Sequence, residues 1–189
     1  TQCTVPADLW ISGRFVAKAS GVIAGLDVAA LPFALLDERC IFKPLLRDGD
    51  PVEPRQTLAT IEGPARALLT GERTSLNLMQ RMSGIATAAR AFVTAIDAAG
   101  GKARILDTRK TAPGLRTLDK LAFKLGGGVN HRIGLFDMVM IKNNHIAACG
   151  GVIAKAVQAV RACDERRRPI EVEVRDFDEL DQALALGVD

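Results

Sequence analysis

The residues best suited to chemistry lie in the segment 105–145, which contains both histidines of the chain. The segment carries seven lysines and arginines against three acidic residues. Its cations cluster at the ends of predicted elements: Arg109-Lys110 ends a strand-like run, His131-Arg132 follows three glycines, and Lys142 ends another apolar run. In α/β proteins, ligands bind at the carboxyl ends of parallel strands, where several loops converge. The pattern favours a small ligand with several negative charges; the alternative is a set of ordinary surface cations.

The residues before this segment predict a small sheet layer and one long helix. Alternation and turn residues predict strands over Leu9–Ala19, Ile41–Arg47 and Gln56–Ile61 and a helix over Asp27–Glu38. Pro64 is then expected in the first turn of an amphipathic helix that reaches Gly100, with a bend at Ser83-Gly84. Three of its arginines either form a solvated stripe or supply one cation to an anion pocket: Arg73, Arg81 and Arg90.

The remaining residues repeat a strand and a helix three times. The predicted strands are Lys102–Thr108, Met138–Lys142 and Ile170–Val174, and the predicted helices are Leu118–Leu125, Val152–Ala162 and Asp178–Leu186. A closed eight-stranded barrel needs about 250 residues. Residues 101–189 are therefore predicted to form three β/α units of a parallel sheet or barrel, and residues 1–100 a β/α layer with the long connecting helix. We expect the polypeptide to continue beyond these 189 residues.

The composition argues against several classes of protein. The net charge is +3, but aromatic residues make up only 4% and tyrosine is absent, so the stacking platform of a nucleic-acid-binding protein is missing. No apolar run reaches the roughly 18 residues of a membrane-spanning helix. The four cysteines are scattered without the spacing of metal ligands, which favours reduced thiols in the cytoplasm over a zinc site.

Five motifs follow one another along the chain. They are Glu72-Arg73-Thr74-x-x-Asn77, Ser83-Gly84-Ile85-Ala86-Thr87, Asp107-Thr108-Arg109-Lys110-Thr111-x-Pro113-Gly114, Gly126-Gly127-Gly128-Val129-Asn130-His131-Arg132 and Ile141-Lys142-x-Asn144-His145. In this order the motifs resemble those of the quinolinate phosphoribosyltransferase family. The resemblance implies an N-terminal α/β sandwich over residues 1–100, which includes the long connecting helix, followed by an incomplete, seven-stranded parallel α/β barrel. Residues 101–189 would supply the first three β/α units of that barrel.

The resemblance also implies an activity and its site. The family transfers phosphoribosyl from phosphoribosyl pyrophosphate to quinolinate, releasing pyrophosphate and CO₂, with Mg²⁺, to give nicotinate mononucleotide for NAD synthesis. The resemblance further implies a homodimer or higher oligomer with shared active sites. The residues that match the family's site are Arg109, His131, Arg132 and Lys142 for the quinolinate carboxylates, Arg73 for the neighbouring subunit's site, Lys110 for phosphoribosyl pyrophosphate, and Glu173 for the ribose and the metal. Lys110, Lys142 and Glu173 are the expected catalytic residues.

Two positions depart from the family pattern, and alternatives stay open. Asn143 stands where the family has aspartate, which removes a negative charge beside Lys142, and Arg175 replaces an acid after the third barrel strand. A barrel aldolase or decarboxylase could use Lys142 as a Schiff-base nucleophile. A related family member could act on another substrate. A carrier module with a hairpin over Gly49–Gly63 is a non-enzymatic alternative, although no lysine stands at its tip.

Overall fold

Three antiparallel strands form the main sheet of the first part of the protein. The computed structural model describes residues 1–189, and its contacts divide the chain into two units, 1–131 and 132–189. The first unit contains β1 (Trp10–Val16), β2 (Gly21–Val22), α1 (Leu26–Leu36), β3 (Ile41–Pro44), β4 (Pro51–Val52), β5 (Thr57–Pro64), α2 (Ala65–Ala98) and α3 (Arg116–Leu125). Strand β5 lies between β1 and β3 and is antiparallel to both, while β2 pairs with β4.

An aromatic cluster forms the centre of this unit's core. The ring of Phe15 on β1 packs edge-on against Phe33 of α1, with 6.2 Å between centroids, and against Phe42 of β3 at 5.3 Å. Leu68 and Met79 of α2 are buried in the same cluster. Because burying each large apolar side chain contributes about 1.5–3 kcal/mol, this cluster fixes α1 and α2 on one face of the sheet.

Helix α2 runs without interruption through Ser83-Gly84, where the sequence predicts a bend. The Ser83 hydroxyl accepts a hydrogen bond from the backbone N–H of Ala24 at 3.0 Å, and the Thr87 hydroxyl accepts one from Val22 at 2.9 Å. These two hydroxyls therefore satisfy backbone groups in and just after the short strand β2. The Ser83-to-Thr87 motif serves packing in this unit.

Two local predictions in this unit are wrong, and the alternative hairpin is not formed. Pro64 lies outside the helix and pairs with Trp10 at the end of the β1–β5 ladder. The hairpin over Gly49–Gly63 does not form, because β4 pairs with β2 and β5 with β1 and β3. The strand predicted over Lys102–Thr108 is reduced to one parallel bridge between Leu106 and Val129, since only that short neighbour offers it hydrogen bonds.

The second unit has the alternating order of a parallel α/β fold. It contains β6 (Val139–Ile141), α4 (Asn143–Ala148), α5 (Ile153–Cys163), β7 (Ile170–Val172) and α6 (Phe177–Ala185), and β6 and β7 are parallel neighbours. Its core is aliphatic: Ile141 and Ile170 of the strands pack with Ile153 and Val157 of α5. The chain is therefore of the predicted α/β class. None of its helices has the length and apolar character needed to cross a membrane.

Candidate active site

The Arg109-Lys110 pair lies on a loop of the first unit, between two anchored residues. Two positions before Arg109, the Asp107 carboxylate accepts hydrogen bonds from Lys120 and His131. Two positions after Lys110, the backbone N–H of Ala112 donates to the Asp119 carboxylate at 3.2 Å. The Nε of Arg109 is buried and has no hydrogen-bond partner, whereas Lys110 is exposed. The loop thus presents one unsatisfied guanidinium donor and one free ammonium.

Asp119 anchors this loop to helix α2. Its carboxylate oxygens accept hydrogen bonds from Nε and Nη2 of Arg81, each at 2.7 Å. The Arg81 hydrogen bonds hold the pKa of the largely buried Asp119 carboxyl below its ordinary value. A bidentate arginine–carboxylate pair also fixes orientation, so α3 and the loop before it keep a defined position on α2.

The backbone of His131 is held from both sides. Its N–H donates to Asp107 Oδ1 at 2.7 Å, and its carbonyl oxygen accepts from Lys120 Nζ at 3.0 Å. Lys120 Nζ also lies 2.6 Å from Asp107 Oδ1, and both side chains are buried. The sequence-based prediction missed Asp107, Asp119 and Lys120 as site-building residues. The sequence offers a signal only for Asp107, an acid two positions before Arg109-Lys110.

The three glycines before His131 allow close packing. A Cβ atom at Gly126 would lie 2.3 Å from the carbonyl oxygen of Ala86 on α2, and one at Gly128 would lie 2.1 Å from the Phe123 ring. The carbonyl oxygen of Gly126 accepts a hydrogen bond from Arg90 Nε at 2.9 Å. The glycine run therefore lets the end of α3 approach α2 closely.

The second unit places Lys142 and Glu173 side by side. They directly follow two paired segments of the parallel sheet, Lys142 after β6 and Glu173 after β7, and Lys142 Nζ lies 2.5 Å from Glu173 Oε1. Both side chains are about half exposed, at 46% and 44%. A cation and a carboxylate thus share the carboxyl edge of this sheet, where an α/β fold binds its ligands.

Arg132 is a buried cation without a carboxylate partner in the chain. Its guanidinium donates to the carbonyl oxygen of Met138 at 3.3 Å and contacts the Met140 sulfur at 3.4 Å. Burying a charge is costly unless it is paired. The arrangement therefore suits a residue whose negative partner is a ligand.

Two other polar residues of this unit have structural roles. His145 Nδ1 accepts a hydrogen bond from the backbone N–H of Lys142 at 2.9 Å, which caps the start of α4. Arg175 pairs with Glu179 four residues later, and its hydrogen bonds hold the pKa of the Glu179 carboxyl below the ordinary value. The replacement of an acid by Arg175 is thus accommodated by a local pair at the start of α6. Asn143 is exposed at the first position of α4.

The four arginines of α2 have different roles, and Arg66 donates to backbone carbonyl oxygens near the start of the chain. Arg81 pairs with Asp119, and Arg90 donates to carbonyl oxygens at the end of α3. Arg73 is exposed on α2 and takes part in neither network. Of the four, Arg73 alone has its guanidinium available to a partner outside this chain.

The chain does not contain a ready-made metal centre. No group of three or more histidine, cysteine, aspartate or glutamate residues is arranged to hold a metal ion. Glu173 is a single carboxylate with one oxygen paired to Lys142. Because Mg²⁺ sites use one or two carboxylates together with substrate phosphates, these residues do not fit a dedicated protein site for the ion.

Family models match nearly the whole chain. The model described as the quinolinate phosphoribosyl transferase N-terminal domain matches residues 1–83, and the model described as its C-terminal domain matches residues 85–189.

Curated relatives and solved structures carry related names. A nicotinate-nucleotide pyrophosphorylase [carboxylating] of Mycobacterium leprae is 49% identical over 98% of this chain, and a quinolinate phosphoribosyltransferase [decarboxylating] of Nicotiana tabacum is 44% identical over 97%. This chain spans 64% and 52% of their lengths. The crystal structure of NadC from Streptococcus pyogenes is 38% identical, with a TM-score of 0.92 over 99% of this chain and 65% of that one.

Proposed function

Because this chain belongs to the quinolinate phosphoribosyltransferase family, we propose that the full-length protein transfers phosphoribosyl from phosphoribosyl pyrophosphate to quinolinate, giving nicotinate mononucleotide, pyrophosphate and CO₂. Its fold is an N-terminal sheet domain followed by part of an α/β barrel. The observation that carries the proposal is the match of both family domains, in order, across the chain.

Quinolinate is a dicarboxylate, and we propose that unpaired arginines bind it. Arg109 offers a buried Nε without a partner, and Arg132 is buried without a carboxylate. A guanidinium fork grips a carboxylate through two parallel hydrogen bonds. His131 and Lys142 complete the proposed set of carboxylate ligands. The negative charge of quinolinate would then offset the desolvation of the buried arginines.

Phosphoribosyl transfer builds charge at both ends of the breaking bond. The quinolinate nitrogen attacks C1 of the ribose as the C1–pyrophosphate bond breaks, so the ribose gains oxocarbenium character and the leaving group gains negative charge. We assign Lys110 to the departing pyrophosphate, because its ammonium is exposed beside the carboxylate-binding Arg109. We assign Glu173 to the ribose, where a carboxylate stabilises positive charge. Lys142 orients Glu173 through their ion pair.

Decarboxylation follows from the product of the transfer. The new bond turns the pyridine nitrogen into a cation, which stabilises the carbanion left when the adjacent carboxylate departs as CO₂. A proton from solvent then adds to that ring carbon and completes nicotinate mononucleotide. The proposed role of Arg109, Arg132 and Lys142 is to orient the dicarboxylate for this loss. Mg²⁺ remains a proposed cofactor that enters with the phosphates of the substrate, and no step is assigned to it.

We further propose a homodimer or larger oligomer in which Arg73 reaches the neighbouring subunit's site. Its exposure on α2 supports this assignment, since Arg81 and Arg90 are used within the chain. A cytoplasmic location is consistent with four free cysteine thiols. The proposal includes neither nucleic acid nor membrane as a partner.

The direct test is turnover of the full-length protein with quinolinate, phosphoribosyl pyrophosphate and Mg²⁺, followed by chromatography of nicotinate mononucleotide. Borohydride added during turnover separates this reaction from a Schiff-base aldolase, because only a Schiff base leaves a reduced adduct on Lys142. Lys142 is half exposed beside a carboxylate, whereas a nucleophilic lysine needs an apolar or cationic environment. We expect product and no adduct; an adduct without nicotinate mononucleotide would refute the proposal.

A further inference from the structure

A buried ion pair links three segments of the first unit near the proposed substrate residues. The Lys120 and Asp107 side chains are 3% and 9% exposed, and Nζ lies 2.6 Å from Oδ1. Lys120 belongs to α3, and Asp107 lies two positions before Arg109. Removing two charges from water is costly, and apolar residues of similar size often stabilise a fold as well as a buried pair does. The ionic pair therefore calls for an explanation beyond folding.

The pair forms hydrogen bonds to both backbone groups of one residue. Asp107 Oδ1 accepts from the N–H of His131 at 2.7 Å, and Lys120 Nζ donates to the carbonyl oxygen of His131 at 3.0 Å. With its amide nitrogen turned toward these groups, Asn130 donates to Lys120 O at 2.9 Å and to Asp107 Oδ2 at 3.0 Å. Two apolar side chains could not hold the peptide groups on both sides of His131 in this way.

We propose that Lys120 is a positioning residue: together with Asp107 it fixes the backbone of His131, and hence the point from which the imidazole meets a carboxylate of quinolinate. This inference rests on the proposed function, which assigns His131 to the substrate. Lys120 itself does not touch substrate, because its ammonium is enclosed by Asp107 and His131. The two members of the pair act together, so neither can be replaced alone without loss.

The test separates positioning from folding. Lys120→Met keeps a side chain of similar length but leaves Asp107 buried without its cation, and we expect the KM for quinolinate to rise roughly tenfold or more with the KM for phosphoribosyl pyrophosphate unchanged. Lys124→Met, at an exposed position of the same helix, is the matched control and should change neither constant. An unchanged KM for quinolinate in folded Lys120→Met would overturn the proposal.

A double variant covers the case in which the single one does not fold. Asp107→Asn with Lys120→Met removes both buried charges, leaves an amide oxygen to accept from His131, and should regain thermal stability while keeping the raised KM for quinolinate. If the lysine served folding alone, the KM would return to the wild-type value together with stability, and the proposal would be wrong.

Hydrogen exchange distinguishes failure of this inference from failure of the proposed function. The amide of His131 should exchange slowly in the wild-type protein and measurably faster in Lys120→Met, whether or not the protein turns over quinolinate. Equal exchange in the two proteins overturns the positioning role. If the wild-type protein is inactive, the proposed function fails, and the exchange rates alone decide the role of Lys120.

Discussion

Lys142 Nζ lies 2.5 Å from Glu173 Oε1, across the carboxyl ends of two neighbouring parallel strands. The parallel register pairs Ile141 with Val172, so the residues that follow them stand side by side. This contact holds a cation and an anion together at the sheet edge without burying either one.

Replacing Glu173 by glutamine should impair chemistry more than folding. Because Glu173 is half exposed, the loss of its charge leaves nothing buried and unpaired. If its carboxylate stabilises the ribose cation, kcat should fall about 100-fold, or about 2.7 kcal/mol of transition-state stabilisation. Steady-state kinetics with Glu165→Gln as an exposed control would measure this, and an unchanged kcat would remove Glu173 from the mechanism.

Replacing Arg132 by alanine should weaken quinolinate binding by roughly 2–5 kcal/mol, because a desolvated carboxylate would lose its charged partner. Calorimetric titration of the full-length protein measures the loss directly. Arg166→Ala, at an exposed position of the same unit, is the control. Equal dissociation constants for the wild-type and Arg132→Ala proteins would show that Arg132 is buried for another reason.

Arg73 should act on the opposite subunit. Mixing Arg73→Ala chains with Lys110→Ala chains should restore part of the turnover, since one of the two hybrid sites then contains both native residues. The matched control mixes Arg109→Ala with Lys110→Ala chains: these residues lie on one loop, so neither hybrid site is intact and no rescue is expected. Purified heterodimers without activity in the first mixture would argue against a shared site.

The Arg81–Asp119 pair should make stability depend on pH in acid. Hydrogen bonds from Arg81 lower the pKa of Asp119 in the folded protein below its ordinary value of 3.8. The ion pair therefore stabilises the fold fully at pH values above the ordinary pKa of aspartate. This stabilisation is lost as the pH falls through the lower pKa that Asp119 has in the folded protein. The difference in urea midpoint between wild type and Asp119→Asn should be constant from pH 6 to about pH 5 and narrow toward about pH 3. Asp97→Asn, on the exposed face of α2, is the control; a difference that does not change with pH would contradict the pair's role.

Periodicity predicted the longer elements well and the short ones poorly. The long helix α2 and the helices α5 and α6 lie within one or two residues of their predicted ends, because each has several turns of apolar spacing. Strands β2 and β4 have two residues each, too few for a period, and α4 has six. The predicted strand over 102–108 has the right alternation but only one short hydrogen-bonding neighbour.

The functional site was likewise predicted only in part. Clusters of arginine, lysine and histidine at element ends are visible in the sequence, so Arg109, Lys110, Arg132 and Lys142 could be selected. Two residues that hold the loop of Arg109 and Lys110 in place could not be selected, because Asp119 and Lys120 look like ordinary charges on a helix. Only their tertiary contacts with Arg81, Ala112, Asp107 and His131 show that both face inward.

The most direct measurement follows quinolinate labelled in the carboxylate next to the ring nitrogen through one turnover of the full-length protein. The proposed reaction predicts that labelled CO₂, pyrophosphate and nicotinate mononucleotide appear in equal amounts and only when phosphoribosyl pyrophosphate is present. Release of labelled CO₂ without phosphoribosyl pyrophosphate, or a nucleotide product that retains the label, would contradict it.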